Sequence, residues 1–300
     1  MSGRLFRLFG SLALLGVVLW WSAAGEVWER LREAQPFWIV IAILALNCST
    51  LSMARRWQLI ARALELKITY RAALKEYYLA LLANSLLPGG VVGDVSRAIR
   101  TRQHGDLKRA AQSVVAERLM GQVALFAVLV AGLSVSLFWP GGIEWPSGTG
   151  WMLGAGIALT FGVLIWLASA QKTARFTKFC LVLMVRPEIS AHAMTAAALL
   201  IFGLYACARA TGTELSIEAS VTVLPLVLCA MLVPLSIAGW GWREGAAAAL
   251  FPILGASPEA GIAMGICYGA VMLLAALPAV AFVFMPSEAE LNTNPLENAS

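Results

Sequence analysis

Apolar residues fall into long runs along this chain, and charged residues gather in the gaps between them. Six runs approach or exceed the length a helix needs, about 20 residues, to cross ~30 Å of hydrocarbon. They lie approximately at residues 5–24, 37–54, 115–139, 151–170, 191–210 and 260–285. None shows the alternating polarity of a barrel strand. Two further apolar regions, roughly 71–105 and 217–256, are interrupted by proline and glycine. The pattern predicts an all-α polytopic membrane protein with about six full transmembrane helices and two broken, re-entrant hairpins.

Composition supports this. Sixty percent of the 300 residues are apolar and 13% are charged. A soluble domain of that size could not hide so much apolar surface from water. The reading is one transmembrane domain over 1–285, followed by an acidic, disordered tail over 286–300. The basic start and apolar core of the first run resemble a signal peptide, with Ala23-Ala24-Gly25 at its end; the run is read as an uncleaved first span. The net charge of +5 is read as marking a membrane face, with no nucleic acid as partner.

Lys and Arg set the expected orientation in a bacterial-type inner membrane. Arg4 and Arg7 place the N-terminus in the cytoplasm. The loop 25–36 mixes Arg30 and Arg32 with Glu26, Glu29 and Glu33 and is placed outside. Arg55, Arg56, Arg62, Lys67, Arg71 and Lys75 are inside. The short run Tyr77–Leu87 is then followed by Arg97, Arg100, Arg102, Lys108 and Arg109. Both of its flanks are basic, so a simple crossing does not fit, whereas a hairpin that enters and returns does. Pro88, Gly89 and Gly90 make the turn, because proline and glycine interrupt a helix. Such backbone is tolerated at depth only inside protein or beside a wet cavity. Trp139, Trp145 and Trp151 suggest an interfacial belt. The second interrupted region opens from the outside. Ser257-Pro258-Glu259 reads as a capped helix start, and the last span returns the C-terminus to the cytoplasm.

The order span, span, broken hairpin, span occurs twice, over about 1–139 and about 151–285. The two breaks share a proline, glycines and an adjacent acid–arginine pair. Pro88, Gly89, Gly90 and Gly93 precede or adjoin Asp94 and Arg97; Pro234, Gly239 and Gly241 precede Arg243 and Glu244. Three full crossings per copy, an odd number, require the copies to be inverted. Inverted repeats with paired broken helices are a pattern of secondary transporters, whose substrate site lies at the breaks. The alternative is an ordinary bundle with two kinks.

An ionisable group inside a membrane needs a partner or water. Arg97 and Arg243 could grip a phosphate with two N–H groups each, and half-helix N-termini also favour anions. Asp94 and Glu244 could equally form structural ion pairs with these arginines. Glu117 and Arg118 open a span, and Glu117 could pair with Arg97, Arg100 or Arg118. Tyr268 holds a comparable place in the second copy. Arg55 and Arg56 are read as anchors at the cytoplasmic face, Asn47 and Asn84 as interhelical hydrogen bonders, and His192 as a solvated residue. Trp240 and Trp242 line the second break or anchor it. The five cysteines are scattered, most within apolar runs, and are read as packing residues. No metal or cofactor site and no nucleotide-binding or catalytic motif is read from the chain.

Several of these segments resemble the transmembrane-region family of lysylphosphatidylglycerol synthases, a flippase-like family. They are Asn84-Ser85-Leu86-Leu87-Pro88-Gly89-Gly90 with Gly93-Asp94-Val95-Ser96-Arg97-Ala98, then Ser113 to Leu119, then Pro234 to Gly241 with Arg243-Glu244-Gly245. They lie in order over roughly 50–285. The resemblance implies a lipid flippase; the aminoacyl-transferase domain is absent, so synthase activity is not carried over, and the chain is not read as an enzyme. The family's first break often carries Glu where this chain has Asp94. The expected partners are membrane lipids, of anionic phospholipid, polyprenyl or glycolipid type. A second reading is a non-catalytic accessory that binds a lipid-biosynthesis enzyme. A third, an intramembrane lipid-transfer enzyme, needs a nucleophile or metal cluster that the sequence does not offer.

Overall fold

The computed structural model describes residues 24–87, 91–102, 106–138, 142–169, 174–232 and 238–283. The expected span 5–24 (Ala24 excepted), the tail 286–300, and the break residues Pro88, Gly89, Gly90 and Pro234 lie outside them. Among the described residues every regular element is a helix. They are α1 (Ala24–Arg32), α2 (Pro36–Ala63), α3 (Tyr70–Leu86), α4 (Val92–Thr101), α5 (Leu107–Phe138) and α6 (Thr149–Ser169). Then follow α7 (Ala174–Val185), α8 (Pro187–Ala210), α9 (Ile217–Ala230), α10 (Trp242–Leu250), α11 (Pro258–Ala275) and α12 (Pro278–Val283).

Four segments are long and apolar enough to cross a membrane: α2, α5, α8 and the stretch Pro258–Phe282. They coincide with four of the expected spans, and α6 with a fifth. The helices outrun the hydropathy pattern. α2 continues past residue 54 to Ala63, and α5 begins eight residues before 115. Charged residues are good helix formers, so a helix continues where the hydrocarbon stops. The expected loop 25–36 contains the helix α1, and α7 follows α6. The last span is not one uninterrupted helix. It turns at Ala276–Leu277, where Pro278 removes an N–H and disfavours helical backbone before it.

The centre of the bundle is α2 against α8. They run antiparallel, with Gln35 N–H bonded to Ala210 O at 2.9 Å near one end and Ser49 Oγ donating to Ala196 O at 3.2 Å further along. The buried face of α8 is built largely from small residues, among them Ala193, Ala196, Ala197, Gly203, Ala206 and Ala210. Small side chains let backbones approach closely where lipid gives no hydrophobic drive to association. Outside this core, large apolar side chains point away from the protein, including Phe37, Val40, Leu44, Phe138, Trp151 and Trp166. In a membrane, lipid chains solvate them.

Around α2 and α8 the two halves use the same partners. α2 packs on α3 and α5 as α8 packs on α9 and α11, and α4 bridges α3 and α5 as α10 bridges α9 and α11. The hairpins α3–α4 and α9–α10 open at opposite ends of the bundle. The first opens beside the C-terminal end of α2, where Gln58 Nε2 donates to Ile68 O at 3.0 Å. The second opens beside the C-terminal end of α5, where Ser136 bonds Glu218. Side-chain caps start both first arms and α11. Thr69 accepts from Ala72 N–H, Ser216 from Ala219 N–H, and Ser257 from Ala260 N–H; the last is the cap expected from the sequence.

Candidate functional site

The arm α4 returns along α3 with its residues in antiparallel register. Asn84 ties the arms together: its Oδ1 accepts from Gly93 N–H at 2.8 Å, and its Nδ2 donates to Asp94 Oδ2 at 3.3 Å. Further along, Arg100 Nε pairs with Glu76 at 2.5 Å. At Gly93 the two arms touch, and a Cβ there would overlap the Ala80 carbonyl oxygen. The hairpin therefore closes only on glycine.

This closure delivers Asp94 and Arg97 to α5. Arg97 Nη2 reaches Asp94 Oδ1 at 3.1 Å and Glu117 Oε2 at 3.2 Å. The other oxygen of Glu117 takes Arg56 Nη2 and the Tyr77 hydroxyl, the latter at 3.1 Å. Arg118 Nη2 completes the chain by reaching Asp94 Oδ2 at 2.5 Å. The guanidinium carbon of Arg97 sits 4.4 Å from the centroid of the Trp57 ring and 4.6 Å from that of Tyr77. Aromatic faces attract such cations, by up to ~2 kcal/mol where water is excluded. Arg56, Arg97 and Glu117 are buried, whereas the Arg118 side chain is 49% exposed.

The second break has the same plan with fewer charges. Ala238, Gly239 and Gly241 take φ of +49°, +80° and +86°, a left-handed turn that glycine adopts freely. α10 starts there, and Glu244 Oε2 accepts from Gly241 N–H at 2.6 Å. Glu244 Oε1 takes Arg243 Nε at 3.0 Å and Nη2 at 2.5 Å. The Arg243 guanidinium stands 4.9 Å from the Trp240 ring and 5.8 Å from the Tyr268 ring. Arg243 and Glu244 are both fully buried. Tyr268 thus meets the arginine of its hairpin, as Glu117 does in the first half.

All six charged residues singled out from the sequence sit at the breaks: Asp94, Arg97, Glu117 and Arg118 in one cluster, Arg243 and Glu244 in the other. Glu117 pairs with Arg97, one of the three expected partners; Arg100 is taken by Glu76 and Arg118 by Asp94. Arg56 is a correction. It does not anchor the cytoplasmic face but is buried on Glu117. A signal for this was present: Ala42, Ala45, Ser49, Arg56 and Ile60 recur at helical spacing on the buried face of α2. Asn47 bonds Tyr78 across helices at 2.7 Å, as expected. Trp57 and Tyr77 were not anticipated as site residues, because aromatic residues in apolar runs carry no distinguishing mark.

Saturation of the two clusters is incomplete. Among the described residues, Arg56 Nε, Arg97 Nε and Nη1, and Arg243 Nη1 are buried without a hydrogen-bond partner. An unmet buried donor costs about 1–3 kcal/mol, more when charged, and such groups commonly mark a site for a water or ligand.

Comparison with known proteins agrees with a membrane protein. A UPF0104 membrane protein of Pyrococcus horikoshii is 18% identical over 130 residues, which cover 42% of this chain and 39% of the relative. The matched stretch thus spans about two fifths of the relative's length. No solved structure matches the chain. The Lysylphosphatidylglycerol synthase TM region matches over residues 8–279, nearly the whole sequence and both breaks. The chain therefore belongs to the family of lysylphosphatidylglycerol synthase transmembrane regions.

Proposed function

We propose that the protein is a lipid flippase. It moves an anionic phospholipid, or a polyprenyl- or glycolipid-type lipid, between leaflets, and makes or breaks no covalent bond. The observation that carries this reading is the repeated break, with a buried arginine at each that keeps at least one unpartnered N–H donor. Guanidinium groups suit phosphate oxygens. Supporting it, the arms α3, α4, α9 and α10 have 17, 10, 14 and 9 residues. None reaches the ~30 Å of a hydrocarbon core at 1.5 Å per residue. Each hairpin is read as re-entrant, and the halves as inverted repeats. Arg97 and Arg243 are 1% and 0% exposed, so a headgroup reaches them only when a hairpin moves off its partner helix.

The expected result in vesicles is direct. With purified protein, a labelled phosphate-bearing lipid crosses to the other leaflet faster than in protein-free vesicles. Arg97→Ala and Arg243→Ala each slow it by on the order of tenfold or more, the loss of a charged hydrogen bond. If no anionic, polyprenyl or glycolipid probe moves faster than in empty vesicles, the reading fails. A lipid-modifying enzyme co-purifying in equal amount, with the arginine variants still functional, would point to the accessory role.

The end of the bundle near Arg62, Lys67 and Arg71 is assigned to the cytoplasm of a bacterial-type inner membrane, and both termini with it. In a background without native cysteines, Glu214→Cys should react with an impermeant maleimide in intact cells, and Lys67→Cys only after permeabilisation. The reverse labelling would invert the assignment.

A further inference from the structure

The two breaks differ in charge. At the first, three guanidiniums (Arg56, Arg97 and Arg118) face two carboxylates (Asp94 and Glu117). The cluster carries a formal excess of one positive charge. At the second, one guanidinium faces one carboxylate, and the formal charge is zero. Water can satisfy a spare N–H group, but it does not cancel a buried charge. That cancellation matters where the surrounding dielectric is low. The unpartnered donors follow the charge: three lie on Arg56 and Arg97, and one on Arg243.

The cluster is open on one side: the Arg118 side chain is 49% exposed, while Asp94 holds its guanidinium at 2.5 Å.

We propose that the first break is an anion site that takes the phosphate of a lipid headgroup at Arg118 and passes it to Arg97 and Arg56, and that the neutral second break binds no anion at rest. The choice of a lipid rests on the transport reading above; the charge argument does not.

The test uses the full-length protein in uncharged detergent, with a short-chain phosphatidate, inorganic phosphate and the matching diacylglycerol as probes. Binding is followed by tryptophan fluorescence, to which Trp57 beside Arg97 contributes, and by the melting temperature. Saturable binding of the phosphatidate alone is expected. Arg118→Gln, which removes the excess charge, should weaken it by on the order of tenfold, and Asp94→Asn, which raises the excess to two, should tighten it. Opposite signs distinguish a charge-selected ligand from a structural network. If both substitutions weaken binding alike, or if the phosphatidate does not bind, the proposal is overturned. Equal binding of inorganic phosphate would overturn the lipid source. One phosphatidate per protein is expected to bind; two equivalent sites would overturn the asymmetry. Charge-dependent binding without leaflet exchange in vesicles would support this site and remove the transport reading. Exchange indifferent to both Arg118→Gln and Asp94→Asn would do the reverse.

Discussion

Glu117→Gln should destabilise the folded protein by about 3–5 kcal/mol, the cost of removing one partner from a buried ion pair. Glu117 is fully buried and is the carboxylate shared by Arg56 and Arg97. Without its charge, Arg56 loses its ion pair and Arg97 keeps only Asp94. A loss of that size is a large share of the ~5–15 kcal/mol that holds a typical domain. The comparison is Glu65→Gln. Its pair with Arg109 has the same 2.5 Å spacing as the buried Arg243–Glu244 pair, but its side chains are 79% and 50% exposed. Water and ions screen such a pair, so its loss costs at most ~1 kcal/mol. Thermal unfolding of both variants in detergent measures the difference. Equal melting temperatures would show that the buried cluster does not hold the hairpin in place.

Gly93→Ala should also be strongly destabilising, against what local propensity predicts. Alanine is a better helix former than glycine by about 1 kcal/mol. At this position, however, the added methyl overlaps the Ala80 carbonyl oxygen, with the Ala80 C and Cα atoms at 2.7 and 2.8 Å. All three are main-chain atoms, so no rotamer change relieves the contact. The arms α3 and α4 must separate, which costs about 1–3 kcal/mol or more and carries Asp94 and Arg97 away from α5. Ala80→Gly should not rescue the variant, because the obstructing atoms remain. Gly25→Ala serves as the control: nothing lies within 4 Å of a Cβ there, so the propensity gain should survive. Unfolding of the three variants decides the matter, and a Gly93→Ala protein as stable as the wild type would refute the close approach.

How much was readable in advance depended on the range of each signal. Hydrophobicity is local, so α2, α5, α8 and α11 were all anticipated, with the C-terminal end of α8 and the cap of α11, while the C-terminal end of α2 and the N-terminal end of α5 were not. The hydropathy pattern reports where lipid stops, whereas α2 runs on for nine residues after position 54 because Arg55, Arg56 and their neighbours suit a helix. The acid–arginine pairs at the breaks were legible because their members stand one or three positions apart. Arg56 was misread because its partner Glu117 stands 61 positions away. Its neighbour Arg55 is only partly buried and bonds Gln58 on the same helix. Nothing in the dipeptide itself separates the two.

The sequence by itself determined the solvent, the helical class, the two regions interrupted by proline and glycine, and the charges placed beside them. These follow from apolar run length, from glycine and proline, and from the scarcity of charge, all of which act within a few turns of chain. Only the tertiary structure decided which carboxylate neutralises which arginine. It also decided that Arg56 turns inward, and that one break keeps a positive charge while the other is balanced. Those outcomes depend on the packing of α2, α4 and α5, which brings together groups that are distant in the chain. Charge balance belongs to the assembled cluster and to no single segment of it.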